Sequence, residues 1–222
     1  MIRIHHDVAE ELLETIWVLG EQGPVSREKA LAACHVRAPR GALLALEAEG
    51  LVELDLDWVS LTAAGEGRAA FIIRRQRLGE VLALRAMGFR HMEEKQAVCE
   101  FEHVITEGDI DRLCAQLGHP SRCPDGEPIP SGPCCALGES PSGLAVSALS
   151  DLQAGQRGRI LYVRRQVRAR VRALMSYGIL GGARFELKLR YPAFVIFVEG
   201  VEVALDSEVA SDVFALLDPT SG

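Results

Sequence analysis

The middle of this chain is a segment so rich in proline and glycine that it limits every fold the chain can adopt. Residues 118–148 contain six of the ten prolines of the sequence: Pro120, Pro124, Pro128, Pro130, Pro133 and Pro141. Each proline removes a backbone N–H donor, so helices and central strands seldom continue through such a segment. We therefore predict a loop or tether here, with separate folding units before and after it.

The first 73 residues have the pattern of a winged helix-turn-helix. Apolar residues at helical spacing in 8–19 predict a first helix, and Ser26 is a suitable N-cap for a second. Pro39 suits the first turn of a third helix, and the alternation of apolar and polar residues in 51–61 predicts a hairpin. Helix, helix, turn, helix and hairpin in this order predict a DNA-binding domain over 1–73.

Residues 74–135 have a helical composition, which continues a long connecting helix that begins near Thr62. Two further helices are expected around 93–103 and 110–117. Three helices that share an apolar face suit a dimerisation unit. We predict that this part of the chain forms a homodimer and that 136–148 is a linker.

The last part of the chain, 149–218, is rich in strand patterns. A short helix is expected at 171–177, and strands are expected at 159–163, 184–189, 193–198 and 201–205. This pattern predicts a small SH3-like β-barrel. The fold class is therefore mainly α with a small β part.

Composition limits the classes of function. The net charge is −7, and no apolar run approaches the roughly 20 residues that span a bilayer, so we expect no membrane role and a cytoplasmic location. Residues 81–148 contain 10 acidic and 5 basic side chains, a balance that suits cation binding or dimerisation. Six cysteines in a reducing compartment are expected to be thiols or metal ligands. No nucleophile motif is present, so we predict no enzymatic activity.

One short motif combines three kinds of metal donor. Cys99, Glu102 and His103 stand at positions i, i+3 and i+4, which lie on one face of a helix. A thiolate, a carboxylate and an imidazole together suit Fe(II), Mn(II), Co(II), Ni(II) or Zn(II). The alternative is an amphipathic helix with a solvated glutamate and a core cysteine.

This C-x-x-E-H motif resembles the metal motif of the diphtheria-toxin-repressor (DtxR/MntR) family. The resemblance implies that Glu11, and with it Glu14, are metal ligands from the first helix; the alternative is two solvated glutamates. It also places Glu80 at a second cation site of the family. There Gln76 occupies the position of a family histidine, and an amide is a poor ligand for a transition metal.

The C-terminal part resembles a FeoA domain. The segments that carry the resemblance are 152–158, 175–182 and 204–206. FeoA-like domains accompany iron transport or end the iron-dependent branch of this repressor family, so the resemblance implies Fe(II) as the cation, with Mn(II) as the alternative.

The helix-turn-helix offers candidate contacts to double-stranded operator DNA. The N-terminal turn of a third helix enters the major groove, and the start of the preceding helix contacts phosphates. The residues at these two places are Arg37, Pro39 and Arg40, and Ser26, Arg27 and Lys29. The following residues, 41–44, are apolar, unlike those of family members. We expect one of two arrangements: Leu43 contacts a thymine methyl group, or another part of the protein covers this surface.

The cysteines near the proline-rich segment form a separate cluster in the sequence. Cys114, Cys123, Cys134 and Cys135 could supply four thiolates to an iron–sulfur cluster or to a structural Zn(II). The alternative is free thiols in a loop.

These observations predict a homodimeric repressor that binds operator DNA when it is loaded with divalent metal. The rival interpretation is a metal-binding or iron–sulfur-binding adaptor of iron uptake that lacks specific DNA binding. The apolar third helix and the negative net charge favour the adaptor, whereas the family motifs favour the repressor.

Overall fold

The computed structural model describes the backbone of residues 8–34, 39–86, 98, 101, 104–137, 146–164 and 168–219. It divides into two compact units, Met1–Arg74 and Arg75–Gly222, which are described separately below. In the part of the chain that the structure describes, no helix is both long enough and apolar enough to cross a membrane.

The first unit has the predicted order of helices and strands. Its elements are α1 (Val8–Gly20), β1 (Val25–Ser26), α2 (Arg27–Ala33), α3 (Pro39–Ala48), β2 (Val52–Asp55), β3 (Trp58–Leu61) and the first part of α4 (Ala63–Val81). The strands form one antiparallel sheet in the order β1-β3-β2, and Leu54 is paired with Val59. This arrangement agrees with the predicted winged helix-turn-helix.

The core of the first unit lies between α1, α3 and the hairpin. Leu12, Leu13 and Ile16 of α1 are buried, and they share a hydrophobic cluster with Leu46 of α3 and Val59 of β3. Burial of each such side chain contributes about 1.5–3 kcal/mol to the free energy of folding. The helical periodicity of α1 is therefore explained by this core.

The helical part of the second unit begins with the end of α4, which continues into a π-helical turn at Leu82–Ala86. It also contains α5 (Glu107–Gln116) and α6 (Pro133–Leu137). The helix predicted at 110–117 therefore begins three residues earlier than expected and ends one residue earlier. At its start, the Asp109 carboxylate accepts a hydrogen bond from the Thr106 backbone N–H at 3.0 Å. Most of the helix predicted at 93–103 lies outside the described residues, although Val98 and Phe101 are helical.

As far as residue 137, the proline-rich segment packs against other parts of the second unit. The Cys123 backbone N–H donates to the Glu127 carbonyl at 2.9 Å, and the Ile129 N–H donates to the Ser121 carbonyl at 2.9 Å. Cys123 and Ile129 are buried, and the Arg77 guanidinium donates to the Pro128 carbonyl at 2.6 Å. The segment between α5 and α6 is thus a loop, as predicted, but it is not a free tether, because backbone hydrogen bonds and the Arg77–Pro128 bond hold residues 121–129 in place.

The C-terminal part of the second unit is a six-stranded antiparallel sheet. Its elements are β4 (Val146–Ala148), a 3₁₀ turn (Leu149–Asp151), β5 (Arg157–Val163), α7 (Arg168–Ser176), β6 (Arg184–Leu189), β7 (Phe194–Val198), β8 (Val201–Leu205), α8 (Ser207–Asp212) and β9 (Val213–Leu217). The strand order is β4-β9-β5-β6-β7-β8. Among the described strands none joins β4 to β8, so the sheet is open where a closed SH3-like barrel was predicted.

Side chains of α5 form hydrogen bonds with backbone groups of this sheet. Arg112 donates to the Leu217 carbonyl at 2.9 Å. The Gln116 side-chain amide donates to the Val146 carbonyl at 2.9 Å and accepts from the Val146 N–H at 2.8 Å. These bonds satisfy polar groups of β9 and β4 that would otherwise lack partners in the interface.

Candidate metal centres and DNA-binding surface

The first helix presents Glu11 beside the core of the first unit. Glu11 is half-buried, and the next two residues, Leu12 and Leu13, are fully buried. The neighbouring Glu10 is 3.0 Å from Arg68 of α4, in an ion pair. Glu14 is also half-buried, one turn further along the helix. The helix therefore places two carboxylates at the edge of a rigid core, one helical turn apart.

The predicted motif residues Cys99, Glu102 and His103 lie outside the described residues, as does the predicted DNA contact Arg37. Phe101, between Cys99 and Glu102, is among the described residues. Phe101 is 1% exposed, and its ring meets that of Tyr162 in β5 edge to face, with 6.1 Å between centroids. Phe101 is thus packed on a strand of the C-terminal sheet.

Gly79 of α4 allows this segment to pack closely on the connecting helix. A Cβ atom added at Gly79 would meet Phe101 Cδ2 at 3.4 Å and Val98 Cγ1 at 3.6 Å. These are ordinary contact distances, so alanine would fit at this position, whereas a side chain longer than alanine would displace Val98 or Phe101. Glu80, the predicted second-site residue, follows Gly79 directly.

Glu80 lies against the thiol of Cys123. Burial raises the pKa of Cys123, and the hydrogen bond and negative charge of Glu80 raise it further. Cys123 therefore favours the protonated thiol in this position, which is the state that can donate a hydrogen bond to a carboxylate. Glu80 and Cys123 were both predicted as ligands, but for different sites. In the structure they contact each other.

Four other side chains converge beside α5 and α6. The Cys114 Sγ atom is 3.7 Å from Cys135 Sγ and 3.6 Å from His119 Nδ1. The Cys134 Sγ atom is 3.8 Å from Cys135 Sγ and 3.7 Å from His119 Nδ1. All four ligand atoms lie within 4.8 Å of one another. We refer to these four residues as the Cys₃His cluster.

His119 reaches the cluster through the backbone turn that ends α5. The His119 N–H donates to the Cys114 carbonyl at 2.9 Å, and the Gly118 N–H donates to the Ala115 carbonyl at 3.0 Å. These two bonds, with Gly118 at φ 75°, form a Schellman motif, in which the residue after the glycine lies over the third residue from the helix end. Here those two residues are His119 and Cys114.

The two adjacent thiols of α6, Cys134 and Cys135, have pKa values that are shifted in opposite directions. Burial raises the pKa of Cys134, and Asp111 and Cys114 add to the effect, to about 12. Burial also raises that of Cys135, but hydrogen bonds from the Gly132 backbone, His119 and the neighbouring thiols outweigh it, so that the pKa falls to about 6. The metal-free cluster thus favours one thiolate surrounded by hydrogen-bond donors.

The sequence placed Cys123 in this group and missed His119. Among the described residues the group consists of Cys114, His119, Cys134 and Cys135, because the hairpin at 121–129 directs Cys123 to Glu80. A signal for His119 was present in the sequence. Leu117-Gly118-His119 at the end of a helix is typical of a Schellman motif, which would have brought His119 to Cys114.

Three of the predicted DNA contacts, Ser26, Arg27 and Arg40, line a groove of about 1040 Å³ between α2, α3 and the hairpin. Arg40 is exposed in the first turn of α3, and Lys29 is exposed on α2. The Ser26 hydroxyl caps α2 by accepting from the Lys29 N–H at 3.2 Å, and the Arg27 N–H donates to the Asp57 carbonyl at 2.7 Å. Pro39 begins α3; its side chain lies outside the described part.

The interpretation of Leu43 as a thymine contact is wrong. Leu43 is buried in the core of the first unit at 4% exposure, whereas Leu44 is 61% exposed on the outer face of α3. Arg40 is on this outer face, together with Gly41, Ala45 and Ala48. The adjacent hairpin exposes Glu53, Asp55 and Asp57. The surface is thus basic at one end of α3, apolar along it and acidic at the wing.

Comparison with known proteins shows similarity to one group of metal-dependent repressors. Residues 62–131 match the model described as iron dependent repressor, metal binding and dimerisation domain, and residues 148–215 match the FeoA domain. The iron-dependent repressor IdeR of Mycobacterium leprae is 29% identical over 157 residues, which are 67% of each protein. The diphtheria toxin repressor of Corynebacterium diphtheriae is 30% identical over 128 residues, 56% of this chain and 57% of that protein. The chain is therefore similar to repressors of the diphtheria-toxin-repressor (DtxR/MntR) family over more than half of its length.

Solved structures agree with the family. A manganese-dependent transcriptional repressor in complex with manganese is 26% identical, with a TM-score of 0.50 over 95% of this chain and 100% of that chain. The metal-dependent transcriptional regulator MtsR, 21% identical with a TM-score of 0.52 over 94% of this chain and 98% of that chain, has a similar fold.

The Cys₃His cluster is only partly covered by the family models. Cys114 and His119 lie inside the matched metal-binding and dimerisation domain of the DtxR/MntR family, which ends at residue 131. Cys134 and Cys135 lie beyond it and before the FeoA match, which begins at residue 148. The cluster is therefore distinct from the C-x-x-E-H motif of the family, which lies wholly within the first match.

Proposed function

We propose that this chain is a metal-dependent transcriptional repressor that binds operator DNA as a homodimer when it is loaded with a divalent cation. One observation supports this proposal above the others. A winged helix-turn-helix is followed, through α4, by a segment that matches the iron-dependent repressor model over residues 62–131. We further propose that the protein acts in the cytoplasm, that it has no enzymatic activity, and that the domains follow the boundaries 1–73, 74–135 and 149–218. Of the linker predicted at 136–148, residues up to Leu137 belong instead to α6, and Val146–Ala148 form β4, which pairs with β9.

The proposed regulatory cation is Fe(II), with Mn(II) as the alternative. Glu11, Cys99, Glu102 and His103 supply oxygen, sulfur and nitrogen donors, a set that suits either ion. Relatives named as iron-dependent repressors support Fe(II), and the manganese-dependent repressor supports Mn(II). Glu11, Cys99, Glu102 and His103 would together hold this cation.

Glu14 and Glu80 are proposed to take part less directly. Glu14 lies one turn from Glu11 and can add a carboxylate to the same ion. Glu80 is beside the Cys123 thiol, and the amide of Gln76 adds little affinity for a transition metal. A second cation at Glu80 therefore requires that Cys123 gives up this contact.

Repression would follow from a shift between conformations of the dimer. A cation can raise DNA affinity only if it binds the DNA-competent arrangement more tightly than the other arrangements. By linkage, operator DNA then raises the affinity for the cation by the same factor. The residues proposed to meet DNA are Ser26, Arg27, Lys29, Arg37, Pro39 and Arg40. Arg40, in the N-terminal turn of α3, is best placed to reach bases.

A second candidate is a metal-binding adaptor of iron uptake without specific DNA binding. The exposed face of α3 favours it, because Gly41, Leu44 and Ala48 offer no hydrogen-bond donors to base edges. The acidic side chains of the wing would also repel phosphates. Among the described residues of α3, Arg40 remains for base recognition.

A gel-shift experiment separates the two candidates. The purified chain is incubated with a labelled duplex of its own upstream region, with and without Fe(II) under anaerobic conditions, and with a scrambled duplex as competitor. The repressor requires retardation that depends on metal and resists the scrambled competitor. Retardation that is absent, or equal for both duplexes, supports the adaptor.

A further inference from the structure

We propose that the Cys₃His cluster binds one Zn(II) ion in a tetrahedral site that is separate from the regulatory cation. The four ligands are the thiolates of Cys114, Cys134 and Cys135 and the Nδ1 atom of His119. The proposal does not depend on the function proposed above, because it rests on the geometry of a different group of residues.

The distances in the cluster match those around a single tetrahedral ion. With Zn–S near 2.3 Å and Zn–N near 2.0–2.1 Å, tetrahedral angles place two sulfurs about 3.8 Å apart and a sulfur and a nitrogen about 3.5–3.6 Å apart. The two sulfur–sulfur distances to Cys135 are 3.7 and 3.8 Å. The two sulfur–nitrogen distances to His119 are 3.6 and 3.7 Å. The four atoms thus surround a space of the size of one zinc ion.

The chemistry and burial of the ligands favour Zn(II) over the other divalent ions. Three thiolates and one imidazole form a known closed, structural zinc set, and soft thiolates bind Zn(II) more strongly than Mn(II) or Fe(II). Cys114 and Cys134 are each 1% exposed, and Cys135 and His119 are half-buried. A site enclosed to this extent leaves little room for a water ligand, which is typical of a structural ion.

The compactness of the cluster disfavours an iron–sulfur centre. In such a centre the protein ligands bind different iron atoms, so they are spread around several metal and sulfide atoms. Here all four ligand atoms lie within 4.8 Å of one another, and Cys123, which would be needed for four thiolates, lies against Glu80. The geometry therefore favours one ion.

Zinc binding would require all three thiols of the cluster to be deprotonated. Three thiolates and a neutral imidazole bind Zn(II) with a net charge of −1, and the protons of the protonated thiols are released to solvent. The contact between Asp111 and the Cys134 thiol is given up in this step, because a thiolate no longer donates.

The ion would fix α6 to the end of α5. Cys114 and His119 belong to α5 and its terminal turn, whereas Cys134 and Cys135 belong to α6, which has only five residues. A helix this short has little stability of its own, so it depends on tertiary contacts. The same α5 carries Arg112 and Gln116, which bind β9 and β4. Zinc would therefore stabilise the polypeptide that leads from the helical part to the sheet.

Metal analysis of a suitable variant tests the proposal. In the chain with Glu102→Gln and His103→Ala, the regulatory cation is removed, and we expect one zinc per chain after dialysis against a chelator. Adding Cys114→Ser, or separately His119→Ala, should remove that zinc. Cys123→Ser is the matched control and should retain it. If the double variant retains a second metal, the regulatory assignment fails while the zinc site stands.

X-ray absorption at the zinc edge of the wild-type chain provides a test without ligand variants. We expect three sulfurs at about 2.3 Å and one nitrogen at about 2.0–2.1 Å. Zinc that is lost equally in Cys123→Ser overturns the ligand set. Iron with acid-labile sulfide, a disulfide between Cys114 and Cys135 in protein purified without oxygen, or full alkylation of the three cysteines in untreated protein overturns the zinc site.

Discussion

Arg159 of β5 donates from Nη2 to Oδ2 of Asp109 in α5 at 2.6 Å, and its Nη1 donates to the Val104 carbonyl at 2.9 Å. The side chains are 22% and 11% exposed, respectively. Asp109 also accepts a hydrogen bond from the Thr106 hydroxyl at 2.6 Å. One arginine of the sheet thus binds both the first turn of α5 and the end of the motif segment.

Replacement of Arg159 by alanine should lower the free energy of unfolding by about 1.5–3 kcal/mol, the usual value of hydrogen bonds to charged groups. The measurement is urea unfolding followed by circular dichroism. Arg157→Ala is the matched control on the same strand, because its ion pair with Glu186 involves a side chain that is 66% exposed. A change of under about 1 kcal/mol is expected there. Equal effects of the two substitutions would contradict the role of Arg159.

Stability should fall in acid more steeply for the wild-type chain than for Asp109→Asn. Burial raises the pKa of Asp109, but hydrogen bonds from Thr106 and Arg159 and the charge of Arg159 outweigh it, so the pKa is lowered in the folded state. A lowered pKa contributes stability above the unfolded value, about 3.9, and this contribution is lost as the pH falls through the folded value. Unfolding curves between pH 6 and pH 3 measure this loss. Parallel profiles for the two proteins would exclude Asp109 as its source.

Glu102→Ala or His103→Ala should abolish tight binding of the regulatory cation and metal-dependent DNA binding, whereas the dimer should persist. Each substitution removes one donor of the proposed site. Calorimetry with Mn(II) measures the affinity, and light scattering measures the oligomeric state. Glu100→Gln is the control within the same motif. Unchanged affinity in both alanine variants would refute the assignment.

Arg37→Ala and Arg40→Ala should each weaken operator binding, by roughly 1–3 kcal/mol if the arginine reads a base. Arg40 is exposed in the first turn of α3, where the chain would approach the major groove. Titration of a labelled operator at constant salt measures the affinity. Arg190→Ala, on the C-terminal sheet, is the control for loss of one positive charge. If neither substitution on α3 changes the affinity more than the control does, another surface binds the DNA.

Gly118→Ala and Gly108→Ala should have opposite effects on stability. A Cβ atom would meet nothing within 4 Å at either position, but Gly118 has φ +75° and Gly108 lies within α5. Alanine is strained at the first and favoured at the second, where it should stabilise by about 0.4–1 kcal/mol. Thermal unfolding of the two variants checks the signs. Destabilisation by both would indicate that α5 is constrained in a way the backbone angles do not show.

Most of the helices and strands could be predicted from the sequence because their apolar periodicity is strong. The exceptions have physical reasons. β9 is buried along its whole length, so Val213–Leu217 lacks the alternation that identifies a strand. The orientation of α3 was also misjudged at Leu43, since four apolar or small residues in succession, 41–44, do not reveal which of them faces the core.

Among the proposed metal ligands, too, some could be predicted from the sequence and others could not. The C-x-x-E-H motif is local, so helical spacing was sufficient to propose it. The Cys₃His cluster depends on the docking of α6 against α5, which no spacing rule specifies. Only the place of His119 beside Cys114 was encoded locally, by the glycine at the end of the helix.

The turn that ends α5 also determines how much order a metal ion would have to impose. Cys114 and His119 are joined by a backbone hydrogen bond of 2.9 Å, and the Gly118–Ala115 bond of 3.0 Å closes the same turn; neither bond requires a metal. Half of the coordination sphere is therefore preorganised, and the conformational entropy lost on binding falls mainly on α6 with Cys134 and Cys135. Capture of the ion should accordingly begin on the rigid pair, and its release should begin with the two adjacent thiolates.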